Sequence, residues 1–379
     1  MSARILAPLL LLTAIFVLPV AAFSAASSGP ATLEIGQPAP DFALPGVDGK
    51  THRMADFDDA KILVVVFTCN HCPTAQAYED RIIRLAGDYR DRGVAVVAIS
   101  PNDPLAVRLD ELGYTDVSDS LEDMKIRAAD KEFPFPYLYD GEKQEVSAAY
   151  GALATPHVFI FDRDRKLRYV GRIDDSDVRE VRSHDARNAI EALLAGKPVP
   201  VETTRVFGCS TKWSDKRPTV AESLRKWNAE PVALETIDGD GVAKLAANNS
   251  DKLRLINVWA TWCGPCVEEL DELVTIHRMY RKRDFEVITI SLDEAEQRER
   301  ALNTLETKHA SMKNYLFNSA DRDKLAEALD PEWPGPLPYT VLIAPGGKVI
   351  YRHFRPIDPL EVKQAIVGQL GRTYASKKK

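Results

Sequence analysis

Cysteine is scarce here, with five among 379 residues, too few for the dense bridge framework that holds small secreted scaffolds together. Base does not outnumber acid: 49 Lys and Arg stand against 56 Asp and Glu, for a formal net charge of -7. That balance excludes a broad nucleic-acid surface, which needs a concentration of Lys and Arg on one face. Beyond Ser28 no apolar run approaches the roughly 20 residues a bilayer span requires. No glycine-rich loop suggests a nucleotide, and no Ser-His-Asp or paired-carboxylate arrangement suggests a hydrolase. Low-complexity tracts are missing too, and 45% apolar with 28% charged residues is the composition of a folded soluble protein.

What is present begins with the amino terminus. Arg4 precedes an apolar run from Ile5 to Val20, and the small residues Ala21, Ala22, Ser24, Ala25 and Ala26 follow. This is the pattern of a secretory signal peptide over residues 1–26. Pro8 and Pro19 weaken the run as a spanning helix, so cleavage is expected, and membrane contact only if the segment is retained as an anchor. The expected location is extracytoplasmic, such as a periplasm, where thiols tend to be oxidised.

The length suits two domains better than one. After a lead-in punctuated by Gly36, Pro38, Pro40 and Gly46, the β-branched run 61–67 reads as a strand buried on both faces. A Cys-x-x-Cys (Cys69, Cys72) follows at once, then a helix over 75–89, a strand over 94–100 and a helix near 121–131. Two runs, 157–162 and 167–172, form a hairpin, and 185–194 a closing helix. The same order returns about 190 residues later, with strand 255–260, the pair Cys263 and Cys266, helix 267–283, strand 286–291 and a hairpin over 339–354. Duplication is the simplest account. The predicted organisation is α/β: a domain over 31–197, a linker over 198–230 containing Cys209, and a domain over 231–372.

A Cys-x-x-Cys where a buried strand meets a helix has a chemical logic. The first sulfur sits at the helix N-terminus, where free N–H groups and the helix dipole favour a thiolate. The second, one turn on, resolves the mixed disulfide. On this reading Cys69 and Cys263 attack, and Cys72 and Cys266 resolve. Cys209 is either a buried apolar residue or a third redox thiol.

Trp262-Cys263-Gly264-Pro265-Cys266, together with Gly335-Pro336-Leu337-Pro338-Tyr339-Thr340, resembles the thioredoxin superfamily, and within it the exported TlpA/ResA-like reductases, over about 231–372. The resemblance implies a thioredoxin-like fold, a central mixed sheet flanked by helices, with Pro338 as the cis-proline beside the dithiol. Leu337 just before it and Trp262 would then lie on the substrate face, and Glu269 would take the proton role. Gly36-Gln37-Pro38-Ala39-Pro40-Asp41-Phe42 with Ala154-Thr155-Pro156-His157 resembles the redoxin (AhpC/TSA-like) branch over about 31–194, with Pro156 as cis-proline and Thr155 on the substrate face. That branch includes peroxidases, whose motif has Thr three residues before its Cys. This chain has Val66 before Cys69 and Cys69 before Cys72, so a thiol peroxidase stays an alternative, not the expectation.

His71 just before Cys72 is shared with oxidising DsbA-like sites, so Cys263/Cys266 is expected to be the more reducing pair. Cys69, His71 and Cys72 also permit a metal-delivery or docking reading of domain one. The expectation is an exported thiol–disulfide oxidoreductase acting on protein thiols and disulfides with an unidentified redox partner, needing no metal or organic cofactor.

Overall fold

The computed structural model describes residues 29–319 and 321–374. The apolar segment read as a signal peptide lies outside them. Among the described residues no helix is long and apolar enough to cross a membrane.

The lead-in folds as a ribbon of β1 (Ala43–Pro45) and β2 (Thr51–Arg53). Strand β3 (Ile62–Phe67) is buried along its whole length, as expected for a strand covered on both faces. It leads through the first cysteine pair into α1 (Pro73–Tyr89), then β4 (Val94–Ser100), α2 (Leu121–Asp130), β5 (Tyr137–Tyr139) and α3 (Glu145–Tyr150). The two-residue β6 (Ala154–Thr155) ends at a cis peptide bond to Pro156, and β7 (His157–Phe161), β8 (Leu167–Gly171) and α4 (Asp185–Leu194) complete the unit. The sheet order is β5-β4-β3-β7-β8, with β3 parallel to β4 and antiparallel to β7. One apolar cluster lies on each sheet face, around Tyr78 and Tyr169 on one and around Phe67 and Phe159 on the other. Each large side chain so buried contributes roughly 1.5–3 kcal/mol.

The segment expected as a linker is structured. β9 (Cys209–Ser210) pairs antiparallel with β6, and α5 (Arg217–Asn228) follows. Val199 joins the first unit's core, while Trp227 lies under the Arg281 guanidinium, 5.4 Å away, on the second.

The second unit runs β10 (Glu235–Ile237), α6 (Gly239–Ala247), β11 (Leu253–Trp259), α7 (Gly264–Tyr280), β12 (Phe285–Ser291), α8 (Arg298–Thr307) and β13 (Lys313–Phe317). Then come α9 (Arg322–Leu329), β14 (Tyr339–Ile343) after a cis bond between Leu337 and Pro338, β15 (Val349–His353) and α10 (Pro359–Leu370). The order β10-β13-β12-β11-β14-β15 repeats the central arrangement of the first sheet. The two units pack through the segment before α2: Val107 and Leu112 enter the second unit's core. Around them Tyr280 donates to the Thr115 carbonyl at 2.8 Å, and Arg372 clamps Asp116 with two bonds of 2.6 and 2.8 Å.

Candidate active sites

In the second unit Cys263 is the N-cap of α7 and is disulfide-bonded to Cys266. Cys266 is fully buried and Cys263 nearly so, while neighbouring Trp262 is 48% exposed with the Arg322 guanidinium 5.0 Å over its ring. Leu337 packs on the cluster that holds both cysteines. Behind them, Glu269 on α7 accepts from Asn257 Nδ2 at 2.6 Å and from the Ile357 amide at 2.7 Å. Burial outweighs these bonds and pushes the Glu269 carboxyl up to about 7. Asn257 also donates to Thr340 Oγ1 at 2.9 Å, tying the carboxyl to the strand that follows Pro338.

The first site is closed. Cys69 and Cys72 are free thiols and are 2% and 0% exposed. Cys69 Sγ lies 3.0 Å from Thr155 Oγ1, and Cys72 Sγ 3.4 Å from the Thr155 carbonyl. Cys72 Sγ accepts the amides of Ala75 at 3.5 Å and Cys209 at 3.3 Å. Cys69, Cys72 and Ala75 pack together in one small cluster, with Cys209 against it. Burial alone would push the Cys72 thiol up, but the Cys209 and Cys69 bonds, the His71 charge and the Ala75 amide prevail and hold it well below the ordinary thiol range. Cys69 moves the other way, raised first by burial and then by Cys72 and Asp119. Of the two thiols, Cys72 is the one driven toward the thiolate.

The register of the strands shows why. Phe67 faces His157, the residue after Pro156, and Val258 faces Tyr339, the residue after Pro338. Cys72 lies five residues beyond Phe67, and Cys263 five beyond Val258. Cys72 thus holds the place of Cys263, and Ala75 that of Cys266. The expectation that Cys69 starts the helix is corrected accordingly: the N-cap of α1 is Cys72, and Cys69 lies in the turn before it. The physical reason is Pro73, which suits the first helical position and keeps the residue before it out of helical conformation. His71 consequently corresponds to Trp262, so the match to a histidine ahead of a resolving cysteine does not hold.

Sequence reasoning missed the group that holds His71. Asp119 Oδ2 lies 2.5 Å from His71 Nδ1, and the same carboxylate accepts the amides of Asn70 and His71 and the side chain of Asn102. Burial pulls the His71 imidazolium down, but Asp119 outweighs it and holds the ring above its ordinary value. The only signal was a Ser-Pro-Asn-Asp stretch at the end of β4, where Asn102 corresponds to Asp293, which accepts the Thr261 amide in the second unit. Cys69, His71 and Asp119 bring ligand atoms within 4.8 Å of one another. Four donors already occupy the carboxylate, about as many as it has lone-pair sites, so the cluster is a hydrogen-bond network. His157, beside Pro156, is packed 4.4 Å from the Phe159 ring, and burial lowers it to about 3.

Two sheets of this order, each with a cysteine capping the helix after the central strand and a cis-proline before the antiparallel one, define a class: the chain is a two-domain member of the thioredoxin superfamily. Within it, the model of the AhpC/TSA family matches residues 35–170 and that of the Redoxin family residues 214–366. Among curated relatives, the thiol-disulfide oxidoreductase ResA of Oceanobacillus iheyensis is 28% identical over 118 residues, 31% of this chain and 51% of that protein. ResA of Bacillus subtilis is 27% identical over 130 residues, 34% of this chain and 60% of that protein. The chain therefore spans between half and two thirds of the length of these two relatives. A solved structure of an uncharacterized conserved protein from Geobacillus kaustophilus is 42% identical, with a TM-score of 0.43, and the match covers 48% of this chain and 93% of that one.

Proposed function

We propose that the chain is an exported thiol–disulfide oxidoreductase exchanging dithiols and disulfides with protein substrates, with the second site as its substrate-facing centre. The observation that carries this reading is the Cys263–Cys266 disulfide at the start of α7, with Trp262 exposed beside it and a carboxyl titrating near neutrality behind it. In the reducing direction the Cys263 thiolate attacks one sulfur of a substrate disulfide, that bond breaks, and one substrate thiolate leaves. Cys266 gives its proton to Glu269 and attacks Cys263 Sγ, releasing the second substrate thiolate and closing the Cys263–Cys266 bond. Two electrons pass from the dithiol to the substrate, and the reverse sequence oxidises one. Trp262, Leu337 and Pro338 form the substrate face of this site, whereas Thr155 and Pro156, expected on the substrate face of the first, are buried beneath β9. Cys72 is the attacking sulfur of the first site.

Trapping tests this. A reduced full-length Cys266→Ser chain, mixed with disulfide-bearing extracytoplasmic proteins, is expected to retain them as mixed disulfides on Cys263, identifiable by mass spectrometry. No adducts at Cys263, together with no insulin reduction by the unaltered chain, would overturn the reading.

A further inference from the structure

The segment carrying Cys209 occupies a defined place. Thr155, immediately before Pro156, pairs with Cys209, and Ala154 with Ser210. The edge of the first site is thereby covered by the chain's own strand. The approach is close enough to require glycine at 208, which has φ +145°, and a Cβ there would stand 2.1 Å from the Thr155 carbonyl oxygen. The strand is also anchored beyond the pair, where the Lys212 amide donates to Asn102 Oδ1 at 2.8 Å and the Thr211 hydroxyl to the Ala152 carbonyl at 2.6 Å. Asn102 is in turn bonded to Asp119, the partner of His71. Cys72 thus stands between two thiols, Cys69 on the buried side and Cys209 on the strand, and of the three only Cys209 is appreciably open to solvent.

We propose that the first site is a three-cysteine centre in which Cys209 is the port, carrying disulfides between the buried Cys69/Cys72 pair and a partner dithiol that cannot reach it. The proposal rests on the exchange chemistry above and adds a redox residue to it. Starting from a Cys69–Cys72 disulfide, Cys209 attacks Cys72 Sγ, the buried bond breaks, Cys69 takes up the proton Cys209 loses, and Cys72–Cys209 forms. A thiolate of the partner dithiol then attacks Cys209 Sγ and expels Cys72 as thiolate. The partner's second thiol closes its own disulfide and releases Cys209, which is protonated. The partner loses two electrons and the Cys69/Cys72 pair gains them. The site suits the second exchange, in which Cys72 leaves, because a leaving thiolate with a low proton affinity departs faster and Cys72 is the sulfur held low. The partner is a protein or peptide with two neighbouring thiols, and Cys263/Cys266 of a second molecule qualifies.

The test is a linkage map on the full chain. The protein is reduced, titrated with oxidised glutathione, acid-quenched, alkylated, digested and read by mass spectrometry. A peptide joining Cys72 to Cys209 is expected beside the Cys69–Cys72 product, and it becomes the main first-domain bond in Cys69→Ala. Cys209→Ser keeps the backbone amide that serves Cys72. It is expected to form Cys69–Cys72 but to pass it to an added dithiol peptide at least tenfold more slowly. Absence of the Cys72–Cys209 bond from both the unaltered chain and Cys69→Ala, or an unchanged transfer rate in Cys209→Ser, overturns the proposal. The linkage is read without a protein substrate. If it forms but the chain exchanges with no protein, the function proposed above fails and the three-cysteine centre stands.

Discussion

Where the second site shows solvent an indole, the first buries an imidazole: Trp262 is 48% exposed and its counterpart His71 only 1%. The difference runs through both sites. The second keeps Cys266 inside α7, one turn after Cys263, with the Glu269 carboxyl one turn further on. The first has Ala75 at that position, Tyr78 where the second has Glu269, and its companion thiols in the preceding turn and on β9. In one site the capping sulfur sits at a helix end and is bonded to its neighbour one turn on. In the other the charge of the capping sulfur is governed by a buried His71–Asp119 pair and by two neighbouring thiols. A repeated fold therefore need not repeat its chemistry, because a shift of three residues in where the cysteine lies changes what surrounds it.

The sharpest way to break the comparison is to remove each attacking sulfur in turn. Cys263→Ser is expected to lower insulin reduction by about a thousandfold, equivalent to roughly 4 kcal/mol of barrier, and Cys72→Ser to lower it much less because that sulfur is covered. Equal losses, followed by insulin turbidity, would mean the two sites serve one substrate equally. Next in size is Asp119→Asn. It leaves His71 buried without its counter-charge, and removing one partner of such a pair costs on the order of 3 kcal/mol. Hydrogen exchange of the β3 and β4 amides is expected to report that loss, while the amides of β11 and β12 stay as they were.

Much of this was legible from sequence, for identifiable reasons. β3 is a β-branched run and β11 a largely apolar one, both are buried throughout, and each ends beside cysteines, so both central strands and both cysteine pairs could be located. Pro156 and Pro338 could be placed through the resemblance of Ala154-Thr155-Pro156-His157 and Leu337-Pro338-Tyr339-Thr340 to the thioredoxin superfamily. The helix start in the first unit was misjudged although Pro73 marked it, since a Cys-x-x-Cys spacing alone does not say which cysteine caps the helix. Asp119 could not be found, because a carboxylate 48 residues from His71 gains its role only from tertiary packing. For the same reason Cys209 stayed ambiguous: a two-residue strand has no periodicity to read.

A smaller effect is expected from Gly208→Ala, which sharpens the contrast between a covered site and an open one. The added methyl meets the Thr155 carbonyl and forces β9 away from β6. Cys72 in the reduced full chain is then expected to be alkylated about tenfold faster by iodoacetamide, with reduced Cys263 unaffected. An unchanged Cys72 rate would mean that β9 does not control access.

The smallest effect concerns Glu269, whose position in the first site is taken by Tyr78. The Glu269 carboxyl titrates at about 7 in the folded chain against an ordinary value of 4.5. Between those two pH values the native state holds a proton that the unfolded chain has released, so stability falls as pH rises through this window and levels off above it. The full penalty corresponds to roughly 3 kcal/mol at about 1.4 kcal/mol per pKa unit. Glu269→Gln cannot ionise and should lack this decline. It should not recover the whole amount, because one of the two oxygens accepting from Asn257 and Ile357 becomes a donor facing a donor. A net gain of about 1 kcal/mol over the unaltered chain is expected at pH 8, and none at pH 4. All five tryptophans lie beyond residue 212, so urea unfolding followed by tryptophan fluorescence reports mainly the second unit. If the two proteins show parallel stability profiles from pH 4 to 8, Glu269 is already ionised near its ordinary value, and the second site loses the acid that sets it apart from the first.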